Sequence, residues 1–70
     1  MLLTNETLGK RIAHYRKERN LTQVNLATSI GIRPGHYSDI ETGRKVPRIH
    51  TLARLAATFR VSIDELVGKC

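Results

Sequence analysis

Apolar residues recur along this chain at intervals of three and four, the spacing that places side chains on one face of an α-helix. An early stripe consists of Leu8, Ile12 and Tyr15. A later and longer one consists of Ile49, Leu52, Leu55, Ala56 and Phe59. Apart from Arg60-Val61, no segment of the chain has a residue pattern typical of a β-strand. The pattern therefore predicts an all-helical protein.

Between these stripes, residues 21–43 predict two short helices joined by a tight turn. Thr22 is suited to cap the first helix, because its hydroxyl can accept a hydrogen bond from an unpaired amide of the opening turn. Gly31 supplies the left-handed residue that ends a helix without a Cβ clash. The inward face of this helix is expected to consist of Val24, Leu26, Ala27 and Ile30.

The second helix of this segment follows directly. Arg33 stands at its N-cap position, and Pro34 occupies the first helical position, where a missing N–H costs nothing. Gly43 closes the helix. Two short helices joined by a turn of three or four residues that contains glycine form a helix-turn-helix. The motif is thus predicted at about residues 22–43.

Local signals also mark the remaining helices. Gly9 lies inside the first helix, where it costs about 1 kcal/mol relative to alanine, and close backbone packing against a neighbour would explain it. Asn20 is a good left-handed terminator. Ser62 and Glu65 have the spacing of a capping box that opens a last short helix. Five helices around one core, in one domain of residues 1–70, are expected.

The charge balance indicates an anionic partner. Twelve Lys and Arg residues against six Asp and Glu give a net charge of +6, with a pI near 10.3. Nucleic acid is the first partner such a balance suggests, and a membrane surface the second. Until the charges are shown to cluster, a role in solubility alone is an alternative.

Several classes of protein are disfavoured. Cys70 is the only cysteine, so neither an internal disulfide nor a thiolate metal site can form. No apolar run approaches the roughly 20 residues of a membrane span, and the N-terminus lacks the pattern of a signal peptide. The histidines lack metal-ligand spacing and lie on three separate helices: His14, His36 and His50. We therefore expect a cytoplasmic protein that is not an enzyme and has no cofactor.

The order and separation of the segments carry a family resemblance. The segments are Leu8-Gly9-Lys10-Arg11-Ile12, Leu21-Thr22-Gln23, Gly31-Ile32, Tyr37-Ser38-Asp39-Ile40-Glu41-Thr42-Gly43, Val46-Pro47 and Val61-Ser62-Ile63-Asp64-Glu65-Leu66. Together they resemble the Cro/phage-repressor helix-turn-helix family, also called the xenobiotic-response-element type. The resemblance implies an all-α, five-helix, lambda-repressor-like DNA-binding domain.

The resemblance implies that Gln23 contacts the DNA backbone. Its place at the start of a helix, beside unpaired amides and the positive end of the helix dipole, also suits a phosphate oxygen. The alternative is an exposed glutamine that only starts a helix. Further backbone contacts are expected from His36, Thr42, Arg44, Lys45 and Arg48.

Alternatives exist for three of these side chains. A purely solvated surface role competes for Lys45, less so if Arg44 acts with it. Arg48 is compatible with entry into an adjacent minor groove, with a backbone contact and with a solvated cap position. His36 is about equally compatible with a contact to DNA and with a half-buried packing role.

Base recognition is expected on the outward face of the second motif helix. Arg33 is suited to guanine O6 and N7, and Asp39 can accept from cytosine N4. Ser38 is a further reader of base edges. Gly35 offers only backbone, which allows close approach without side-chain readout. Asp39 needs such a partner or a nearby arginine, because a carboxylate is otherwise repelled by phosphates.

Other residues are assigned to scaffolding and assembly. Arg16 and Glu41 resemble the family's internal ion pair, and a carboxylate near a helix C-terminus needs a cation. Val46, Leu66 and Val67 are candidates for a homodimer surface, with a satellite core inside the monomer as the competing explanation. The predicted function is a homodimeric, sequence-specific regulator with residues 33–42 in the major groove. The alternative is an antitoxin or adaptor that mainly binds protein.

Overall fold

The protein folds as five α-helices. A computed structural model describes residues 5–68, with side chains from residue 7 onward. The helices are α1 (Asn5–Glu18), α2 (Gln23–Ile30), α3 (Pro34–Thr42), α4 (Ile49–Phe59) and α5 (Ile63–Leu66). The described chain contains no strand. The predicted all-α, five-helix class is confirmed.

The helix ends form where the local signals predicted them. The Thr22 hydroxyl accepts from the Asn25 amide at 3.0 Å, which caps α2. Gly31 and Gly43 end α2 and α3 in the left-handed conformation, with φ of 78° and 85°. The capping box of Ser62 and Glu65 opens α5, since each side chain meets the other's backbone.

The core is built mainly from the predicted stripes, with two exceptions. Val24 is 56% exposed and Ile49 is 68% exposed, so their predicted inward placement is wrong. Val24 lies two residues before Leu26, which is about 200° around the helix and so on the opposite side. Ile49 is the first residue of α4 and lies at the edge of the helix face that packs against the core. The buried apolar residues are Leu8, Ile12, Leu26, Ala27, Ile30, Tyr37, Ile40, Leu55, Ala56, Phe59 and Leu66.

The position of α3 is set by a close approach to α1. Gly9 on α1 is buried, and a Cβ there would collide with the backbone carbonyls of Ile40 and Glu41 on α3. The predicted reason for a glycine at this position is confirmed. Because α1 packs against one side of α3, the opposite side of α3 faces outward.

No helix within residues 5–68 has the length and apolar character needed to cross a bilayer. The same residues hold no group of three or more His, Cys, Asp and Glu side chains that is placed to bind a metal ion.

Candidate nucleic-acid interface

Helix α3 presents a continuous outward surface. Tyr37 and Ile40 are buried beneath it. Ser38 and Asp39 are half-buried. His36 is exposed, so the alternative of a half-buried packing histidine is wrong. The exposed residues along it are Arg33, Pro34, Gly35, His36 and Thr42.

Both ends of this surface carry cations that the protein itself does not use. Arg33 precedes α3, and Arg44, Lys45 and Arg48 follow it, all four exposed. None of these four side chains has a hydrogen-bond or ion-pair partner among the described residues. Four exposed cations therefore flank α3, while Lys17 and Arg60 are exposed elsewhere. The concentration at α3 favours a role in binding over a role in solubility alone.

Three other arginines are committed to the fold. Arg11 donates to the Glu65 carbonyl from Nε at 2.9 Å and from Nη2 at 2.8 Å. Arg19 donates to the Phe59 carbonyl at 2.6 Å, and Arg54 to the Ile30 carbonyl at 3.0 Å. Each guanidinium meets carbonyls at the C-terminal end of a helix, where the dipole favours a cation. Sequence reasoning missed these roles, because the partners lie far apart in the chain.

Beneath α3, Glu41 is the centre of a polar network. Its carboxylate accepts from Arg16 Nε at 2.7 Å, so the predicted pair is present. The Arg16 and Glu41 side chains are only 12% and 9% exposed. Tyr37 donates its hydroxyl to the same carboxylate. Arg16 also donates to the Leu21 carbonyl at 2.7 Å, which ties α1 to the segment before α2.

The network changes the ionisation of its members. Burial alone raises the pKa of the Glu41 carboxyl, but hydrogen bonds from Arg16, Tyr37 and Gln23 and the charge of Arg16 outweigh it. The pKa of Glu41 therefore lies below its ordinary value. Burial and the hydrogen bond to Glu41 raise the pKa of Tyr37 far above that of free tyrosine. Glu41 is thus ionised and Tyr37 is neutral at physiological pH.

Gln23 belongs to this network as well as to the surface. Its Nε2 donates to Glu41 Oε1 at 2.9 Å, while the residue remains half-exposed. Sequence reasoning placed Gln23 on the surface but missed this bond. The first intrahelical bond of α2 runs from the Leu26 amide to the Thr22 carbonyl, which leaves the amides of Gln23 and Val24 without an intrahelical acceptor.

The first turn of α3 has a similar set of amides. Its first intrahelical bond runs from the Tyr37 amide to the Arg33 carbonyl. Arg33 contributes no side-chain cap, and Pro34 has no N–H. The amides of Gly35 and His36 therefore have no acceptor within the helix, and the exposed Arg33 precedes them in the chain. This combination is suited to an anion.

The predicted dimer residues divide into two groups. Leu66 is 0% exposed and lies in the protein's own core, so its assignment to a dimer surface is wrong. Val67 is partly buried against that core. Val46 is 64% exposed, and the exposed Ile49 follows it closely in the chain. Among these residues, Val46 and Ile49 offer a substantial apolar surface outside the core.

Comparisons with known proteins identify relatives of this chain. The sequence profile of the helix-turn-helix family HTH_3 matches residues 12–66. The chain is 38% identical over 63 residues to the immunity repressor protein of Bacillus phage phi105, covering 90% of this chain and 44% of that protein. It is 38% identical over 62 residues to the cryptic phage CTXphi transcriptional repressor RstR of Vibrio cholerae, covering 89% of this chain and 55% of RstR. The chain spans about half the length of these two relatives, which are named as repressors and not as enzymes.

A solved structure has the same fold. The biofilm master regulator SinR in complex with DNA is 33% identical, with a TM-score of 0.78, covering 84% of this chain and 95% of that one. A chain of the complex between the SinR and SinI proteins also matches, at 33% identity and a TM-score of 0.81, covering 86% of this chain and 59% of that one.

Proposed function

Because the chain belongs to the helix-turn-helix family HTH_3, we propose that it is a sequence-specific DNA-binding transcriptional regulator that inserts α3 into the major groove. The observation that carries this proposal is the exposed surface of α3, flanked at both ends by Arg33, Arg44, Lys45 and Arg48 without protein partners among the described residues. A helix of this width fits the major groove of B-DNA, and cations on both sides neutralise the two phosphate backbones.

Base readout is assigned to the outward residues of α3. Arg33 donates to guanine O6 and N7, and Asp39 accepts from cytosine N4. Ser38 lies beside Asp39 and can donate to a base or accept from one. Gly35 has no side chain, so the backbone of α3 can approach the base edges closely at this turn.

Backbone contacts surround this readout. Gln23 and the unpaired amides of α2 face one phosphate, and His36 with the first-turn amides of α3 faces another. Arg44 and Lys45 meet phosphates beyond the C-terminal end of α3. Thr42 joins them by turning its hydroxyl away from the Asp39 carbonyl, to which it donates at 3.2 Å. Arg48 contacts the backbone or reaches into the neighbouring minor groove.

We further propose that the regulator acts as a homodimer. Val46 and Ile49 supply exposed apolar surface, and the partly buried Val67 is a further candidate. A two-fold dimer would place its two α3 helices on half-sites roughly 34 Å apart. The operator is then expected to be an approximate palindrome.

Selection of bound duplexes from a random-sequence pool tests the proposal. A palindromic consensus supports sequence-specific binding by a dimer. A salt titration on the selected duplex should then give a log–log slope of about −0.9 for each phosphate neutralised. Recovery of no consensus, together with binding that does not respond to salt, would falsify the proposal.

The complex between SinR and SinI supports a second function, that of an adaptor or antitoxin whose main target is a protein. On this chain the exposed Val46 and Ile49 would be the contact surface. The salt titration separates the two functions. A protein that mainly binds another protein would show no affinity for DNA that falls steeply as the salt concentration rises.

A further inference from the structure

We infer that Glu41 is a positioning residue for DNA binding, because it holds the Gln23 side-chain amide in the orientation that donates to a phosphate. The inference rests on the proposed DNA-binding function. It extends that function by assigning a role in binding to a carboxylate that is itself nearly buried and is not expected to touch DNA.

The orientation of the Gln23 amide follows from its partner. An ionised carboxylate only accepts hydrogen bonds, so the amide group that faces Glu41 Oε1 at 2.9 Å must be the nitrogen. An NH2 group has two hydrogens, and its planar geometry directs the second one away from the carboxylate. That second hydrogen remains available for a phosphate oxygen.

Without Glu41, the side-chain amide of Gln23 is no longer held in one orientation. The amide can rotate by 180° and present its oxygen to the phosphate, which repels it. The flexible side chain of Gln23 can also adopt several rotamers, and binding to DNA must then restrict it to one, at a cost in conformational entropy. Immobilising such a side chain corresponds to about a threefold to tenfold difference in affinity.

Glu41 can perform this role because its charge is balanced. The Arg16 guanidinium contacts both carboxylate oxygens, at 2.7 Å and 3.4 Å. A carboxylate close to the DNA backbone therefore brings little net repulsion. Arg16 also holds the segment before α2 through the Leu21 carbonyl, so Glu41 and the start of α2 share one anchor.

A double-mutant cycle on DNA affinity tests the inference. The variants are Gln23→Ala, Glu41→Gln and the double variant, and the probe is a mixed-sequence duplex of about 20 base pairs, enough for two half-sites one helical turn apart. Sequence is unimportant here because a phosphate contact does not depend on it. In Glu41→Gln the remaining oxygen is contested by Arg16 and Tyr37, so Gln23 loses its acceptor.

We expect Glu41→Gln to weaken binding about threefold to tenfold in the wild-type background and to have no effect in the Gln23→Ala background. An equal loss in both backgrounds, or no loss in either, overturns the inference. Ile12→Val serves as the matched control, because it loosens the core without touching the network and should leave affinity unchanged. If the unaltered protein binds neither this duplex nor any duplex selected from the random-sequence pool, the proposed function itself fails.

A measurement on the unaltered protein decides the matter if Glu41→Gln does not fold. Gln23 is the only glutamine in the chain, so its side-chain NH2 signals are assignable by selective ¹⁵N labelling. We expect one hydrogen to be protected from solvent exchange before DNA is added, and the other to shift when DNA is added. Two hydrogens that exchange equally fast in the absence of DNA overturn the inference.

Discussion

Gly9 and the carbonyl group of Glu41 leave no room between them for a Cβ atom. The two backbones touch at this point, and the contact fixes how far α3 stands from α1. Since Glu41 carries the polar network and belongs to the helix that presents the proposed DNA-binding surface, one backbone contact couples the scaffold to the site.

Gly9→Ala is therefore expected to destabilise the protein. Helix propensity alone would favour alanine by about 1 kcal/mol, but the new Cβ meets backbone atoms that cannot rotate away. We expect a net loss of about 1–3 kcal/mol in the free energy of unfolding. Urea denaturation followed by circular dichroism measures it. A stabilised variant would show that α1 and α3 separate without cost.

Gly35→Ala should have the opposite effect on stability. A Cβ at this position meets nothing within 4 Å, so alanine should stabilise α3 by about 0.5–1 kcal/mol. If the backbone of α3 approaches the base edges here, the same methyl group weakens DNA binding. Parallel measurements of denaturation and DNA affinity test both expectations. Unchanged affinity would remove Gly35 from the proposed contact surface.

The stability of the protein should depend on the ionisation of Glu41. Its pKa is lower in the folded protein than in the unfolded chain, so the unfolded chain binds the proton more readily. The resulting stabilisation is fully present above the unfolded value of about 4.3 and is lost as the pH falls through the folded pKa. Glu41→Gln removes this dependence, and at neutral pH it should cost about 1–3 kcal/mol.

Thermal denaturation of both proteins between neutral and acidic pH measures this difference. The two melting temperatures should converge below the ordinary glutamate pKa. Parallel curves for the two proteins throughout that range would mean that Glu41 is not the group responsible.

The cations after α3 should determine the salt dependence of DNA binding. Replacing both Arg44 and Lys45 by glutamine should reduce the log–log salt slope by up to about 1.8, or about 0.9 for each phosphate that is no longer neutralised. Arg60→Gln is the matched control, because the length of α4 separates Arg60 from Arg48 by about 18 Å. An equal reduction in the control would indicate a diffuse charge effect in place of specific phosphate contacts.

Much of the helix pattern could be predicted because its causes are local. A threonine hydroxyl meets an amide three residues away, and a glycine takes a left-handed conformation for steric reasons of its own. Val24 was misplaced although its spacing of two residues from Leu26 already puts it about 200° around the helix. Ile49 was misplaced because an apolar residue at the start of a helix has no local signal of which side packs against the core.

The candidate site divides in the same way. Arg33, Pro34 and the outward residues of α3 follow from helical geometry once Tyr37 and Ile40 are placed inside. The Arg16–Glu41 pair was expected only from the family resemblance, since 25 residues separate its members. The loss of Leu66 from the dimer surface required the packing of α5 onto the rest of the core.

The amino-acid sequence alone thus determined the caps of α2, the C-terminal end of α3 and the start of α5, as well as the net positive charge and the face that α3 buries, because these depend on neighbours along the chain. Only the tertiary structure decided which arginines are occupied by helix carbonyls and which are left for a partner. It also decided that Gln23 shares Glu41 with Arg16 and Tyr37. Hydrogen bonds between distant segments depend on how the helices pack, and no local pattern records that.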